Sequence, residues 1–449
     1  MLAPSPRRRY PGHHFVSFRR DMLGFLLRLA REHGDVVRWK MGPQEMVLLN
    51  HPDAIKDVLV TDAKNFRKGR GIERMKRFLG DGLLTSEEAF HLRQRRLAQP
   101  AFHRDRIAAY GAVMASHAER ATSGWRDGET IDVADAMMRL TLGIVATTLF
   151  GADVRGEEAE IGDAISEMMR LFMFSTIPFS ELVDDVAWLP TNRRFREVRQ
   201  RLDAVVYRMI EQRRRSGTDG GDLLSMLLLA QDTEGDHGRM TDVQLRDEAM
   251  TIFLAGHETT ANALTWTWYL LSRHPEAEAR LHAEVDALGG RPPESADLAS
   301  LPYTRMVLAE SMRLYPPAWV IGRRAVGAFR VGEFDIPANA IVLLSQYVTH
   351  HDARWFPDPE RFDPERWTAG AQASRPKFSY YPFGAGTRQC IGEGFAWMEG
   401  VLVLAAIAQR WRLMLVPDHP VALQPRITLR PKFGMKMRCE ARTRAPRST

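Results

Sequence analysis

The chain has 449 residues, of which 45% are hydrophobic and 26% are charged, and these proportions are ordinary for a soluble globular protein. Its two cysteines exclude a disulfide framework, so nothing requires an oxidising compartment. The net charge of +6 is not arranged as a basic stripe interleaved with aromatic residues, which argues against a nucleic-acid-binding protein. The positive charge would suit an acidic protein partner.

The N-terminal segment is basic over residues 1–15 but lacks the apolar run of a signal peptide. The nearest apolar run, residues 22–30, is short and contains Arg28, so it predicts an amphipathic surface helix. No stretch of the chain reaches eighteen apolar residues without a charge, as a membrane-spanning helix would. We therefore expect a cytoplasmic protein without a membrane anchor.

Strand-like segments are few and short. Residues 35–50 predict a hairpin with Gly42 and Pro43 at its turn, and residues 329–345 predict a second pair of strands. The tail after Pro417 also has strand character.

Most of the remaining chain has the apolar spacing that is typical of α-helices. The clearest segments are residues 105–150, 195–230, 242–273 and 276–288. No internal repeat and no linker divides the sequence. The predicted fold class is therefore mainly α with a small β part, in a single domain that covers residues 1–449.

The helix predicted over residues 242–273 has polar residues in its apolar middle. Thr241 and Gln244 form a plausible capping box at its start. A mid-helix glycine such as Gly256 costs about 1 kcal/mol, and a buried carboxylate such as Glu258 costs more unless it is paired. Either these residues serve packing, with the threonines bonded back to the helix, or they line a functional groove.

Cys390 lies in a glycine-rich turn that follows a proline- and aromatic-rich segment, residues 352–383, without helical or strand period. A strong helix comes next, so the cysteine lies at or just before a helix N-terminus, where the helix dipole and Arg388 would favour its thiolate. A buried structural cysteine is the alternative. A thiolate under a close-packed glycine turn suits a metal in a flat macrocycle, as the axial ligand of haem iron.

At this point the sequence resembles a known family. The segment "FGAGTRQCIG" is similar to the haem-binding signature of the cytochromes P450, and three further segments match that family in the right order. The resemblance implies a triangular, helix-rich domain with a minor sheet region, of the soluble bacterial type. It also implies one haem b with Cys390 as the iron ligand, and Phe383, Gly384 and Arg388 as further cofactor-binding residues.

The segment "AGHETT" resembles the family's A-G-x-[DE]-T pattern, with Ala255, Gly256, Glu258 and Thr259 on the matching positions. The resemblance implies that Ala255 and Gly256 form a groove beside the haem where oxygen binds. Glu258 and Thr259 would be the catalytic acid and alcohol that deliver protons there.

The segment "LAESMRLYPP" resembles the family's core pair, with Glu310 and Arg313 one helical turn apart. The family adds an arginine from a P-E-R-F/W element, and this chain has two such elements. Arg366, nearer the cysteine loop, is the predicted third member of a structural triad, and Arg361 is the alternative.

The haem carboxylates need cations, and the resemblance implies three residues that supply them. His91 stands where the family often has tryptophan, and Arg95 follows it by four residues. Arg323 resembles the family's other propionate-binding arginine, and the adjacent Arg324 could substitute for it. Simple solvent exposure is the alternative for each arginine.

The resemblance implies a monooxygenase that inserts one oxygen atom of O2 into an unactivated C–H or C=C bond. No flavin or iron–sulfur module is visible, so electrons would come from a ferredoxin or flavodoxin with its NAD(P)H reductase. Candidates for the docking surface of that partner are Arg93, Arg96 and Arg104.

The substrate is expected to be an apolar small molecule such as a fatty acid, terpenoid, steroid or polyketide. Residues 70–84 and 167–179 would line an adaptable pocket, although core packing gives the same composition. Two alternatives stay open: a haem-thiolate peroxygenase or isomerase, and a non-catalytic haem-binding sensor.

Overall fold

The structure, a computed structural model, describes residue 1 and residues 3–151, 158–175, 186, 188–217, 220–232 and 238–442. The α-helices of this part are α1 His13–Arg20, α2 Met22–His33, α3 Pro52–Lys56, α4 Arg70–Leu79, α5 Glu88–Ala98, α6 Arg104–Thr122, α7 Val133–Phe150, α8 Glu158–Ser175, α9 Pro190–Ser216, α10 Leu223–Leu229, α11 Asp242–Arg273, α12 Pro275–Asp286, α13 Pro302–Leu314, α14 Gln346–His350, α15 Ala369–Ala373 and α16 Glu393–Ala408. The segments predicted from apolar spacing are mostly helical, which confirms the mainly helical class, but residues 105–150 divide into α6 and α7 and residues 195–230 divide into α9 and α10.

The strands of the same part are β1 Val36–Met41, β2 Gln44–Leu49, β3 Phe66–Lys68, β4 Thr130–Asp132, β5 Ile321–Ala325, β6 Phe329–Val331, β7 Phe334–Ile336, β8 Ile341–Leu344, β9 Trp411–Leu415, β10 Leu423–Pro425, β11 Leu429–Pro431 and β12 Lys436–Ala441. They form a five-stranded sheet in the order β1-β2-β8-β5-β3, a three-stranded sheet β4-β12-β9 and the hairpins β6-β7 and β10-β11.

The first predicted hairpin is confirmed, since β1 and β2 pair antiparallel with Val36 opposite Leu49. Gly42 has a φ of +62° in its turn, a conformation that glycine adopts without a steric penalty. The second predicted pair needs a correction. Strands β6 and β7 do pair, but β8 leaves them and lies parallel to β2 in the large sheet.

The long helix α11 begins at the predicted capping box: Thr241 accepts from the Gln244 amide, and the Gln244 side chain accepts in return from the Thr241 amide. It ends before His274, and Pro275 opens α12 at its first position. Trp266 and Trp268 of α11 are fully buried, so this helix passes through the core. Helices α7, α9, α13 and α16 pack around it.

The predicted surface helix over residues 22–30 is α2, but its apolar face is buried. Leu26 is fully buried and lies in one cluster with Trp39 and Trp319. Among the described residues, only α7 is long and apolar enough to cross a membrane, and 67% of that 18-residue stretch is buried inside the protein. A core helix of a soluble protein has the same properties, so this is weak support for a membrane span.

Candidate active site

The cysteine loop is a tight turn closed by backbone hydrogen bonds. The Cys390 amide donates to the Phe383 carbonyl at 2.9 Å, and the Gly384 amide donates to the Tyr381 carbonyl at 3.0 Å. Gly386 has a φ of +71°, and a Cβ there would lie 2.1 Å from the Leu59 carbonyl oxygen, so no side chain fits. Cys390 is exposed at the end of this loop. It lies two residues before Gly392, the N-cap residue of α16.

Cys390 faces open space, yet it lies deep inside the molecule, and this burial raises the pKa of its thiol to about 11. The Gly392 amide, which hydrogen-bonds the thiol, and the Arg95 guanidinium lower that pKa, but by less than burial raises it. In the chain alone, the helix end and Arg95 therefore favour the thiolate only in part. A coordinated metal cation would supply the missing charge, since a metal-bound thiol is deprotonated.

The positive charge beside the cysteine comes from a different residue than predicted. Arg388 is ion-paired with Glu87 and so does not serve the thiol. Arg95 donates from Nη1 to the Gln389 carbonyl at 2.7 Å, which holds its guanidinium against the cysteine loop. Arg95 is thus placed beside Cys390, whereas its predicted contact with a haem carboxylate stays a prediction.

Helix α11 is buried along most of its length but opens at one place. Ala255 is exposed, and Gly256 and Thr259 are half-buried, while their neighbours Phe253, Leu254 and His257 are buried. Ala255 and Thr259 are four residues apart and so lie on one face of the helix. A core helix that exposes one face indicates a space beside it.

The packing interpretation of the same segment also has support. A Cβ on Gly256 would lie 3.1 Å from Val145 Cγ2, so this glycine allows α7 to approach closely. The Thr259 hydroxyl donates to the Ala255 carbonyl at 2.8 Å, and Thr260 donates weakly to the Gly256 carbonyl at 3.4 Å. Because the Thr259 hydroxyl donates its hydrogen bond to the helix backbone, its oxygen lone pairs can still accept a hydrogen bond from the open side of α11.

Glu258 is buried and bound to the C-terminal tail. Arg430 lies with Nη2 2.6 Å and Nε 3.0 Å from Glu258 Oε1, and the Thr428 hydroxyl donates to the same oxygen. In the described part of the chain, Glu258 and Thr259 share no hydrogen-bond partner. The sequence pattern showed that Glu258 and Thr259 are neighbours. It could not predict that the C-terminal tail binds Glu258.

A second buried acid, Glu399 of α16, was missed by the sequence analysis. Burial raises the pKa of Glu399 to about 8, and the nearby Thr260 hydroxyl lowers it only in part. Neither carboxylate oxygen has a well-aligned hydrogen bond within the described residues. A charged residue in the apolar run of α16 was the signal that could have found it.

Four basic residues gather where β3, β5 and α5 meet: Lys68, His91, Arg323 and Arg388. Burial, and then the neighbouring cations, lower the pKa of His91 to about 4 and that of Arg323 to about 10. Burial also lowers the pKa of Lys68 to about 7, although Glu87 opposes this. The cluster therefore holds more cations than Glu87 neutralises.

His91 provides a test of which group this cluster fits. Its Nδ1 lies 3.1 Å from the Leu83 carbonyl, whereas its Nε2 is buried and has no partner among the described residues. Because Nδ1 donates to that carbonyl, Nε2 can donate to an anionic oxygen only when the ring is protonated, a form that a nearby carboxylate favours. The two carboxylates of a haem match this donor set.

The structure also decides between neighbouring arginines of β5. Lys68 of β3 pairs in register with Arg323, and this brings both into the cation cluster. Arg324 lies on the opposite face of the strand and forms an ion pair with Glu73. Lys68 was not predicted, because the pairing of β3 with β5 joins distant parts of the sequence.

Glu310 and Arg313 form a fully buried bidentate pair, with Nε and Nη2 of Arg313 each 2.8 Å from a carboxylate oxygen. Arg366 completes the group, with its Nε 3.4 Å from Glu310 Oε1. Arg361 contributes only its backbone carbonyl, which accepts from Arg313 at 3.0 Å. Trp367 also donates to Glu310, at 3.0 Å.

The predicted docking arginines are not equivalent. Arg93 and Arg96 both lie against Asp232, which is 3% exposed, so this carboxylate offsets much of their charge. Arg104 is exposed at the start of α6. Of the three residues, Arg104 is therefore the one best placed to meet an acidic partner.

The two segments predicted to line a substrate pocket have different outcomes. In the first, residues 70–84, Phe78 is buried and packs edge-to-face on Phe172 and Phe195, which is core packing. In the second, residues 167–179, the side chains from residue 173 onward lie outside the described residues. Neither segment is therefore established as a pocket wall.

A thiol at the head of a buried helix, an open face on another core helix and cations suited to two carboxylates are together typical of a haem protein with a cysteine ligand. A family comparison gives the particular class. The chain belongs to the cytochrome P450 family, whose model matches residues 4–436. It is thus a haem b-dependent P450 monooxygenase, an oxidoreductase that incorporates oxygen from O2.

Individual relatives agree with this assignment. The chain is 42% identical to cyclooctatin synthase and 40% identical to cyclooctat-9-en-7-ol 5-monooxygenase, both from Streptomyces melanosporofaciens. These matches cover 93% and 90% of this chain and 91% and 88% of the relatives. Pentalenene oxygenase of Streptomyces avermitilis is 34% identical, over 96% of this chain and 95% of its own.

A solved structure, that of the cytochrome P450DA haem domain, superimposes with a TM-score of 0.89. The match covers 99% of this chain and 98% of that one at 26% sequence identity. The predicted P450 fold is therefore confirmed.

Proposed function

We propose that this monooxygenase oxidises a terpenoid-type substrate, a cyclic hydrocarbon or its alcohol, by hydroxylation or epoxidation. The observation that carries the proposal is the similarity to cyclooctatin synthase, a monooxygenase and an oxygenase over at least 90% of this chain. Two of them are named for pentalenene and for cyclooctat-9-en-7-ol, which are an alkene and an unsaturated alcohol. This narrows the fatty acid, terpenoid, steroid and polyketide substrates that the sequence alone leaves open.

A spectral titration tests this substrate class. The purified haem-loaded protein would be titrated with cyclic terpene hydrocarbons and alcohols, and in parallel with fatty acids, steroids and polyketides of similar size. We expect saturable shifts of the Soret band with terpenoids at concentrations at least tenfold lower than with the other classes. Preferential binding of a fatty acid or steroid would contradict the proposal.

The haem, when bound, supplies the oxygen activation and C–H chemistry. Cys390 is proposed to hold it from one side, with the loop hydrogen bond to the Phe383 carbonyl fixing the sulfur. Lys68, His91 and Arg323 of the cation cluster would bind the two haem carboxylates and so set the orientation of the haem.

Protons are proposed to reach the site through Thr259 and Glu258. The Thr259 hydroxyl donates to the Ala255 carbonyl, so Thr259 Oγ1 can accept a hydrogen bond from a proton carrier on the open side. Glu258 would pass protons inward when its carboxylate exchanges Arg430 for water. This assigns both catalytic residues predicted from the pattern, and each has a test below.

Electrons are proposed to come from a ferredoxin or flavodoxin with its reductase, docking near Arg104. We also propose that the whole chain is one catalytic domain and that it works in the cytoplasm. Turnover supported by a reductase, and not by hydrogen peroxide alone, would separate this function from a peroxygenase. Absence of turnover with every reductant would instead favour a haem-binding sensor.

A further inference from the structure

A cavity of about 190 Å³ lies at the far end of α11, between this helix, the end of α13, α14 and the C-terminal tail. None of its lining residues belongs to the haem site described above. Its aromatic and polar lining residues are Trp266, Tyr269, Tyr315, Tyr347, His351 and Glu360. Trp266 lies seven residues beyond Thr259, which is roughly 10 Å along the helix.

Aromatic rings form one wall of this aromatic cavity. Trp266 and Tyr315 are stacked, with ring centroids 4.4 Å apart and an interplanar angle of 27°. Tyr269 stands edge-on to both, 5.9 Å from Trp266 and 6.2 Å from Tyr315. The face of an aromatic ring carries partial negative charge, so an accessible ring face in this wall attracts cations.

Several polar atoms of the cavity make no hydrogen bond within the described residues. Within the described residues, no hydrogen bond is made by the hydroxyls of Tyr269, Tyr315 and Tyr347. His351 Nδ1 lies 2.7 Å from the Tyr347 carbonyl and must donate to it, which leaves the Nε2 lone pair free. Burial lowers the pKa of His351 to about 4, so this ring is neutral at physiological pH.

The charge of the cavity is negative. Glu360 lines it, with Oε2 3.9 Å from His351 Nε2, and is 71% exposed, so its carboxylate is accessible from solvent. No lysine or arginine is among the described lining residues. Asp21, which caps α2, raises the pKa of Tyr347, and Arg31 of α2 lowers it. An anion in the cavity would meet the Glu360 carboxylate and no cation among the described lining residues, and only the tyrosine hydroxyls could donate to it.

We propose that this aromatic cavity binds a small organic cation, an ammonium group carrying methyl or alkyl substituents. The half-buried rings of Tyr315 and Tyr269 would contact the substituents, with the fully buried Trp266 stacked behind Tyr315, and Glu360 would balance the charge. The volume is below the roughly 300–1,000 Å³ of sites for drug-sized ligands, which limits the ligand to a few carbon atoms around the nitrogen.

The test compares choline with its neutral carbon analogue, 3,3-dimethylbutan-1-ol, which has the same shape but no charge. Binding to the haem-loaded protein is measured by saturation-transfer NMR and calorimetry, with a haem-coordinating azole blocking the active site. We expect choline to bind saturably and the neutral analogue to bind at least about tenfold more weakly. Equal binding of both probes, or binding of neither, would overturn the proposal.

Three variants test whether choline binds in this cavity. Glu360→Gln should weaken choline binding by about fivefold, because it removes the balancing charge. Glu160→Gln is the matched control, since Glu160 is 69% exposed on α8, away from the cavity. Tyr315→Leu should weaken binding by about tenfold, because it removes a stacked ring. If Glu360→Gln and Glu160→Gln bind choline equally well, the carboxylate is not part of a site and the proposal is wrong.

Discussion

The Arg430 guanidinium lies 2.6 Å from Glu258 Oε1 and ties the middle of α11 to the C-terminal tail. Both side chains are mostly buried, with 15% and 4% of their surfaces exposed. The acid that the P450 pattern assigns to proton delivery is therefore also a structural anchor. These two roles can be separated by changing each partner.

We expect Glu258→Gln to slow product formation by up to about 10²-fold, because it removes an acid that can pass protons. Arg430→Gln should slow it much less, since the carboxylate is retained. The measurement is turnover in H2O and D2O, and the solvent isotope effect should grow only in Glu258→Gln. An equal loss in both variants would mean that Glu258 serves only to hold the tail.

Thr259→Ala is expected to keep haem, substrate and dioxygen binding but to divert electrons to hydrogen peroxide. The reason is that Thr259 Oγ1 would no longer steady the proton carrier on the open face of α11. Product and peroxide are measured per reductant consumed. Thr265→Ala is the control, because this hydroxyl makes the same bond back to the helix, at 2.7 Å to the Ala261 carbonyl, but is buried. Unchanged coupling in Thr259→Ala would remove its assigned role.

Cys390→His should abolish the red-shifted Soret band that thiolate ligation gives to the ferrous carbonyl complex. Cys439→Ser should keep that band, since Cys439 is fully buried in β12. Absorption spectra of the two purified variants decide the matter. The opposite pattern would refute Cys390 as the ligand.

Glu310→Ala should leave the protein haem-free or insoluble. Removing one partner of a buried ion pair costs about 3–5 kcal/mol, which is comparable with the whole stability of a domain. Arg361→Ala is the control, because Arg361 contributes only its backbone carbonyl. Yield of soluble, haem-loaded protein and urea unfolding are compared. A stable, active Glu310→Ala enzyme would contradict the structural role.

Stability should fall as the pH is lowered from about 6.5 to about 4. Burial, and then the charge of Arg442, lower the pKa of His282 to about 4 in the folded chain. In this window the unfolded chain binds a proton that the folded chain does not, so protonation favours unfolding. His282→Gln should flatten the pH dependence of the urea midpoint, whereas a substitution of the exposed His103 should not. Identical slopes in all three proteins would exclude this contribution.

The amino-acid sequence by itself determined the features that depend on neighbours along the chain. The capping box of Thr241 and Gln244 and the glycine turn ahead of Cys390 are local, because their hydrogen bonds join residues a few positions apart. The helical segments followed from apolar spacing, and the cysteine motif indicated the haem. These features sufficed for the P450 class.

Only the tertiary structure decided which distant side chains meet. It placed Arg366 rather than Arg361 at Glu310, brought Lys68 opposite Arg323, and bound Glu258 to Arg430. Alternation along β5 sends Arg323 and Arg324 to opposite faces, and no sequence spacing says which face meets the cation cluster. The cation beside Cys390 was misassigned for the same reason. Arg388 forms an ion pair with Glu87, and Arg95 is the arginine whose charge acts on the thiol. Such pairings depend on how separate elements pack, and that packing is fixed only when the whole core forms.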